Sequence, residues 1–281
     1  MRSDKIKSHA KLNLALNITG KNSSLHKIET IVVFVSLHDE IFIEQINSNK
    51  HKIFFTGKFS RNIGKNNTVS KLLNILDEKK LLNNKKFKVR IKKKIPSKAG
   101  LGGGSMNASN ILNYFLKKNI IKISKKEVIK ISKLVGSDVL LGLKPTSSIL
   151  SGNNEIKKFY NCKKFYSLIV KPDFGCSTRE IYSKVKKFNK PKFNNPKLKM
   201  FNFNYLKKMD NSLEPIALSK FSKLRKIKSF LETLSKPSFV RMTGSGSALV
   251  AYFQSKYRCE IAKKMFHKKY KNYWCILSKT I

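Results

Sequence analysis

The chain has 281 residues, enough for one large domain or two ordinary ones, and 41% of them are hydrophobic, enough for a core. Its 60 basic and 16 acidic residues leave a formal charge of +44, which usually points to nucleic acid, anionic lipid or phosphate-rich ligands. Of the 60, however, 53 are Lys and seven Arg, while Asn (25) and Ile (27) are abundant too. These are the residues of AT-rich codons, so genome drift is favoured as the source of the charge; a dedicated reader of bases leans on Arg. The cysteines at 162, 176, 259 and 275 form no CxxC pair, and no His stands at zinc-ligand spacing. Free thiols in a reducing cytoplasm are therefore expected, with no metal ligand to name. Residues 1–11 hold no apolar signal core, and the apolar run Ile31–Val35 is far too short to cross a bilayer. The expectation is a soluble, cytoplasmic protein.

Along the chain, Lys11–Ile18 alternates apolar and polar residues and reads as a half-buried strand. A turn-rich stretch follows at Thr19–Ser24. Lys27–Val35 reads as a central strand, Asp39-Glu40 as a turn, and Ile41–Ile46 and His51–Thr56 as further strands. Asn67–Leu82 has helical spacing, with Thr68 as a cap. Phe87–Ile95 alternates strictly and is stopped by Pro96. A glycine-rich loop then leads into a helix beginning around Ile111, and Lys125–Val135 reads as another helix. The weakly patterned Ser151–Lys158 is the candidate boundary, giving domains of 1–155 and 156–281. Beyond it come a strand at Tyr166–Val170, a short helix at Thr178–Phe188 and a loop at Lys186–Lys199. Two helices are expected within Asn211–Leu234, then a strand, tight glycine turn and strand over Phe239–Phe253.

The strongest chemical signal is Ala99-Gly-Leu-Gly-Gly-Gly-Ser105, with four glycines in positions 100–104. Such a loop is costly in backbone entropy unless another group approaches its backbone closely. Its N–H groups and the following helix N-terminus suit a phosphate. It is neither a Walker A loop nor a dinucleotide fingerprint, because both the ending and the spacing differ. Thr243-Gly-Ser-Gly246 alone fits an ordinary hairpin. Asp138, in Gly136-Ser-Asp-Val, fits a turn, and Lys11 fits a solvated strand start.

Taken together, these segments resemble the GHMP kinases: Ala10-Lys-Leu-Asn-Leu, Pro96-x-x-Ala-Gly-Leu-Gly-Gly-Gly-Ser and Arg241-Met-Thr-Gly-Ser-Gly-Ser match that family's three motifs in order. His26, Glu29-Thr30 and Leu37-x-Asp-Glu bring the chain closest to the branch acting on 4-diphosphocytidyl-2-C-methyl-D-erythritol, in non-mevalonate isoprenoid synthesis. Alternatives are a GHMP kinase for homoserine, mevalonate or a sugar, and a basic RNA-binding protein. The resemblance implies a two-domain α+β fold, its N-terminal domain like a ribosomal protein's second domain and its C-terminal domain ferredoxin-like. The active site would lie in the cleft between them.

It also implies ATP and Mg²⁺, a small-molecule substrate, no nucleic-acid or membrane partner, and a monomer or homodimer. By position, Asp138 is the implied catalytic base and Lys11 its partner. Asn67, Lys93, Pro96, Ala99, Gly100, Leu101, Gly102, Gly103, Gly104, Ser105 and Asn107 fall on the ATP side. Asn13, Leu25, His26, Thr178, Tyr182, Thr243, Gly244, Ser245 and Gly246 fall on the substrate side, with Tyr182 offering cytosine an aromatic face. Four places depart from the family pattern: Leu25 replaces an aromatic, Met106 a small residue, Ser97-Lys98 a small or apolar pair, and Leu140 a proline.

Overall fold

Two long strands open the chain: β1 (Asp4–Lys21) and β2 (His26–Ile46), paired with each other. The computed structural model describes every residue except Met1, Arg2, Ser23, Ser24, Asn62 and Asn154. The expected turn at 19–24 is narrower, because Thr19–Lys21 still belong to β1; its Ser23 and Ser24 lie outside the described residues. The chain groups into two units, each gathered from separate stretches. Unit 1 holds 1–10, 37–97 and 102–145; unit 2 holds 11–36, 98–101 and 146–281.

The expected turn at Asp39-Glu40 does not exist, since β2 runs through both residues. The strand tolerates them because each carboxylate is matched by cations or N–H groups on its own face. Asp39 points inward onto Lys93, and Glu40 meets Lys5 at 2.7 Å and Lys94 at 3.2 Å on the other side.

In unit 1, β3 (Lys52–Thr56), α1 (Thr68–Glu78), β4 (Lys86–Lys92), α2 (Gly103–Lys117), α3 (Lys125–Val135) and α4 (Val139–Gly142) follow in order. Strand order is β3-β4-β2; β4 runs antiparallel to β2, with Ile91 opposite Ile41 and Val89 opposite Ile43. The strict alternation of β4 puts Phe87, Val89 and Ile91 on one face. There they pack with Leu72, Leu73 and Leu76 of α1 and with Ile111, Leu112 and Phe115 of α2. The cap of α1 is Asn67 rather than the expected Thr68. Its Oδ1 accepts from the N–H of Val69 (3.0 Å) and Ser70 (3.1 Å), while Ser70 Oγ accepts from Asn67 N–H at 2.9 Å.

Unit 2 continues with β5 (Ser148–Leu150), β6 (Ile156–Lys158), β7 (Tyr166–Lys171), α5 (Thr178–Ser183), α6 (Phe203–Lys207), α7 (Glu214–Lys220) and α8 (Ser222–Thr233). It ends with β8 (Phe239–Met242), β9 (Leu249–Phe253), α9 (Lys256–Lys269) and β10 (Trp274–Lys279). β5 pairs with β2 at Thr30–Val32 and with β6; a separate antiparallel sheet has the order β10-β7-β9-β8. Leu16 and Ile18 of β1 join Leu168, Val170, Leu224, Ile227 and Leu231 in this unit's core. The sequence pattern did not reveal β5, β6, α9 or β10. No helix among the described residues is long and apolar enough to cross a membrane.

Candidate active site

The glycine run divides between the two units: 98–101 belong to unit 2 and 102–105 to unit 1. In unit 1, Gly102 sits at the N-cap of α2 with φ 70° and offers no side-chain cap. The first-turn N–H groups of a 15-residue helix are thus left for a guest, and the helix end favours an anion. The start of α1 lies alongside. A Cβ on Gly104 would stand 2.9 Å from Thr68 Oγ1, so two helix N-termini converge here. A side chain at 103 would press on Ile95 (3.0 Å) and on Lys93 Nζ (3.3 Å). Glycine at 103 and 104 spares these neighbours the shift that a Cβ would force.

Asp138 is half-buried at the N-cap of α4. Gly136 lets its segment lie against α2: a Cβ there would be 3.7 Å from Ser105 Oγ. The phosphate-type cradle and the candidate base thus share one corner of unit 1. Lys93, 4% exposed, is paired with Asp39, which also accepts from Asn107 Nδ2 at 3.0 Å. Asn67 spends both ends of its amide locally: Oδ1 caps α1 and Nδ2 donates to Gly64 O (3.0 Å) and Lys65 O (3.2 Å). Met106 is buried away from the loop; its Sδ fills the space a Cβ on Gly142 would need, at 2.7 Å. That explains how the larger residue is accommodated.

In unit 2, Lys11 is 4% exposed and donates from Nζ to Asn13 Oδ1 at 2.6 Å. Asn13 Nδ2 donates to Thr30 Oγ1 at 2.9 Å, and Thr30 Oγ1 to Ala15 O at 2.6 Å. Asn13 N–H donates to Thr243 Oγ1 at 2.9 Å. The segment 98–101 lies along the tight turn: Ser247 N–H donates to Lys98 O (3.2 Å), Ala248 N–H to Ala99 O (3.2 Å) and Lys11 N–H to Leu101 O (3.1 Å). Ala99 and Leu101 thus act through their backbone carbonyls. Gly100, at φ 72°, permits the contact, since a Cβ there would fall 1.9 Å from Thr243 O. Asn211 Nδ2 holds the turn through Met242 O and Gly244 O, both at 2.8 Å. Thr178 Oγ1 and Ser245 Oγ share a hydrogen bond of 2.9 Å.

Still within unit 2, the His26 ring stands 5.1 Å from Tyr182 and 6.3 Å from Phe188, centroid to centroid. Burial, then the charge of Lys21, pushes its pKa below the ordinary value, so the ring is neutral at pH 7 and can accept a hydrogen bond. Tyr182 packs on the unit's core, whereas Phe188 is 48% exposed and Leu25 71% exposed. Phe188 is thus the more exposed of the two rings beside His26, Tyr182 being nearer and partly buried. Sequence reading passed over Phe188 as the end of the helix expected over Thr178–Phe188, whereas α5 stops at Ser183. The loop after α5 is tied down by fully buried Glu29, which accepts from Phe193 N–H (2.9 Å), Lys192 N–H and Asn17 Nδ2 (2.6 Å). Glu29 was legible only as part of a motif. No group of three His, Cys, Asp or Glu residues able to hold a metal occurs among the described residues.

A family model described as the GHMP kinases N terminal domain matches residues 67–144. The chain is 57% identical over 281 residues, 100% of both chains, to a Pelagibacter ubique (strain HTCC1062) protein named 4-diphosphocytidyl-2-C-methyl-D-erythritol kinase. A Clostridium tetani protein of the same name is 31% identical over 99% of this chain and 100% of its own. Among solved structures, a 4-(cytidine 5'-diphospho)-2C-methyl-D-erythritol kinase superposes with a TM-score of 0.78 at 21% identity, covering 99% and 100% of the two chains. A homoserine kinase from Cytophaga hutchinsonii gives 0.73 at 14%, covering 100% and 95%. These structural likenesses establish the two-domain α+β fold.

Proposed function

We propose that this chain, which belongs to the 4-diphosphocytidyl-2-C-methyl-D-erythritol kinase family, transfers the γ-phosphate of ATP to the 2-hydroxyl of 4-diphosphocytidyl-2-C-methyl-D-erythritol. That places it in non-mevalonate isoprenoid precursor synthesis. The observation carrying the mechanism is the uncapped N-terminus of α2, with Ser105 beside the segment that bears Asp138. The N–H groups of Gly103 to Ser105 receive phosphate oxygens. Asp138 accepts the proton of the attacking hydroxyl. Lys11, held by Asn13, supplies positive charge to the reacting groups. Mg²⁺, when bound with ATP, neutralises phosphate charge.

Support for the cytidine substrate comes from the full-length relative at 57% identity and from the neutral His26 beside Phe188. An ATP-consumption assay with 4-diphosphocytidyl-2-C-methyl-D-erythritol, homoserine and mevalonate in parallel tests the choice. Turnover with the cytidine compound alone is expected; preference for either other alcohol refutes it.

A finer expectation concerns the base-binding face. Phe188→Ala should raise KM for the cytidine substrate several-fold, since loss of one aromatic partner costs about 0.5–1.5 kcal/mol beyond its area. KM for ATP should stay within about twofold. Tyr182→Ala should act differently, lowering Tm because that ring packs the core. An unchanged substrate KM in Phe188→Ala rules out stacking there.

A further inference from the structure

Asp39 has no exposed surface, yet its carboxylate gathers four donors from unit 1. Oδ1 accepts from the N–H groups of Lys94 (2.7 Å) and Ile95 (2.8 Å). Oδ2 accepts from Lys93 Nζ and from Asn107 Nδ2 (3.0 Å). Each donor belongs to the frame of the glycine cradle. Lys94 and Ile95 begin the segment running from β4 towards the glycines. Lys93 Nζ lies 3.3 Å from where a Cβ on Gly103 would stand, and Asn107 is one turn into α2. Asn107 Oδ1 is buried with no hydrogen-bond partner, so its Nδ2 contact with Asp39 is a side-chain anchor bought at the expense of a lone acceptor.

A buried ion pair is a poor device for stability alone, because well-packed apolar residues often do as well or better. What the pair supplies is placement. Asp39 balances the lysine charge and fixes it beneath the first turn of α2, while holding the strand exit and the helix in register.

We propose that Asp39 is a positioning residue for ATP: it acts through Lys93, Asn107 and the 94–95 backbone to set the phosphate cradle, without touching nucleotide. This rests on the reading of the cradle as the ATP site.

The test compares MgATP affinity, by titration calorimetry, in the parent protein, Asp39→Asn, Lys93→Met and the double variant. Asp39→Asn should weaken MgATP about tenfold or more, the scale of a lost charge-assisted contact. Lys93→Met should weaken it similarly. The double variant should lose less than the sum of the two single losses, because part of what Asp39 does passes through that lysine. Steady-state kinetics should show KM for ATP rising while KM for the cytidine substrate stays within about twofold, a split that general loosening of the fold would not give. The double variant carries no unpaired buried charge and serves if Asp39→Asn alone fails to fold.

Parental MgATP affinity in folded Asp39→Asn or in the double variant overturns the proposal. So do fully additive losses, or both KM values rising together with a fall in Tm. If the parent binds MgATP but does not phosphorylate the cytidine substrate, the substrate reading falls and the positioning role is still decided by the titration. If the parent binds no MgATP, both fall.

Discussion

Asp138→Asn is expected to lose turnover by about a hundredfold or more while folding normally and keeping its affinity for ATP, because a positioned proton acceptor contributes on that scale. Asn preserves the shape of the side chain at the start of α4 but cannot take the hydroxyl proton. The segment is held by the packing of Val139 and Leu141, both buried, and by the approach of Gly136 to Ser105, none of which the substitution touches. The loss should therefore fall on kcat. Single-turnover kinetics with the cytidine substrate measure it directly, and a rate within threefold of the parent would remove Asp138 from the chemistry.

Gly100→Ala should produce a large loss of stability for the addition of one methyl group. The residue has φ 72°, and the new Cβ would fall 1.9 Å from Thr243 O, a backbone atom that cannot swing away as a side-chain tip can. Left-handed backbone with a Cβ and the forced displacement together cost about 2–5 kcal/mol. The damage should centre on the hydrogen bonds from Ser247 and Ala248 to Lys98 and Ala99. Urea unfolding reads the effect as a lower midpoint at unchanged m-value. Gly64→Ala is the control. Nothing lies within 4 Å of its Cβ, so its midpoint should stay within about 0.5 kcal/mol of the parent. Equal midpoints for the two variants would contradict the close approach.

What the sequence disclosed followed physical range. The alternation of Phe87, Val89 and Ile91 is a local signal, and it predicted both β4 and its buried face. The glycine run, the strand–turn–strand at 239–253 and the helix at 125–135 were legible for the same reason. Asp39 was not, because Asp-Glu is ordinarily turn chemistry. Only the arrival of Lys93 and Asn107, 54 and 68 residues further on, makes a buried carboxylate tolerable in a strand. Glu29 is a similar case, with partners at 192 and 193. β5 and β6 have three residues each, too few to display any period. Phe188 gave no local sign of its place beside His26; it read as the end of a helix that in fact stops at Ser183.

The segmental make-up of unit 2 has a consequence for how the protein emerges from the ribosome. Leu12, Leu14, Leu16, Ile18 and the run Ile31–Val35 are buried apolar side chains within residues 11–36, yet the rest of their unit lies almost wholly in 146–281. Unit 1 has all its segments once residue 145 is made. Leu16 and Ile18, in contrast, must wait for Leu168, Leu224 and Leu231, and Thr30–Val32 for Ser148–Leu150. At about 5–20 residues per second, synthesis of 146–281 takes on the order of ten seconds. For that interval a nascent chain presents apolar strand without its native cover, the kind of segment that chaperones capture and that aggregates when they do not. Slow codons placed between residue 145 and Leu231 would lengthen the exposure, whereas slow codons before residue 11 would not.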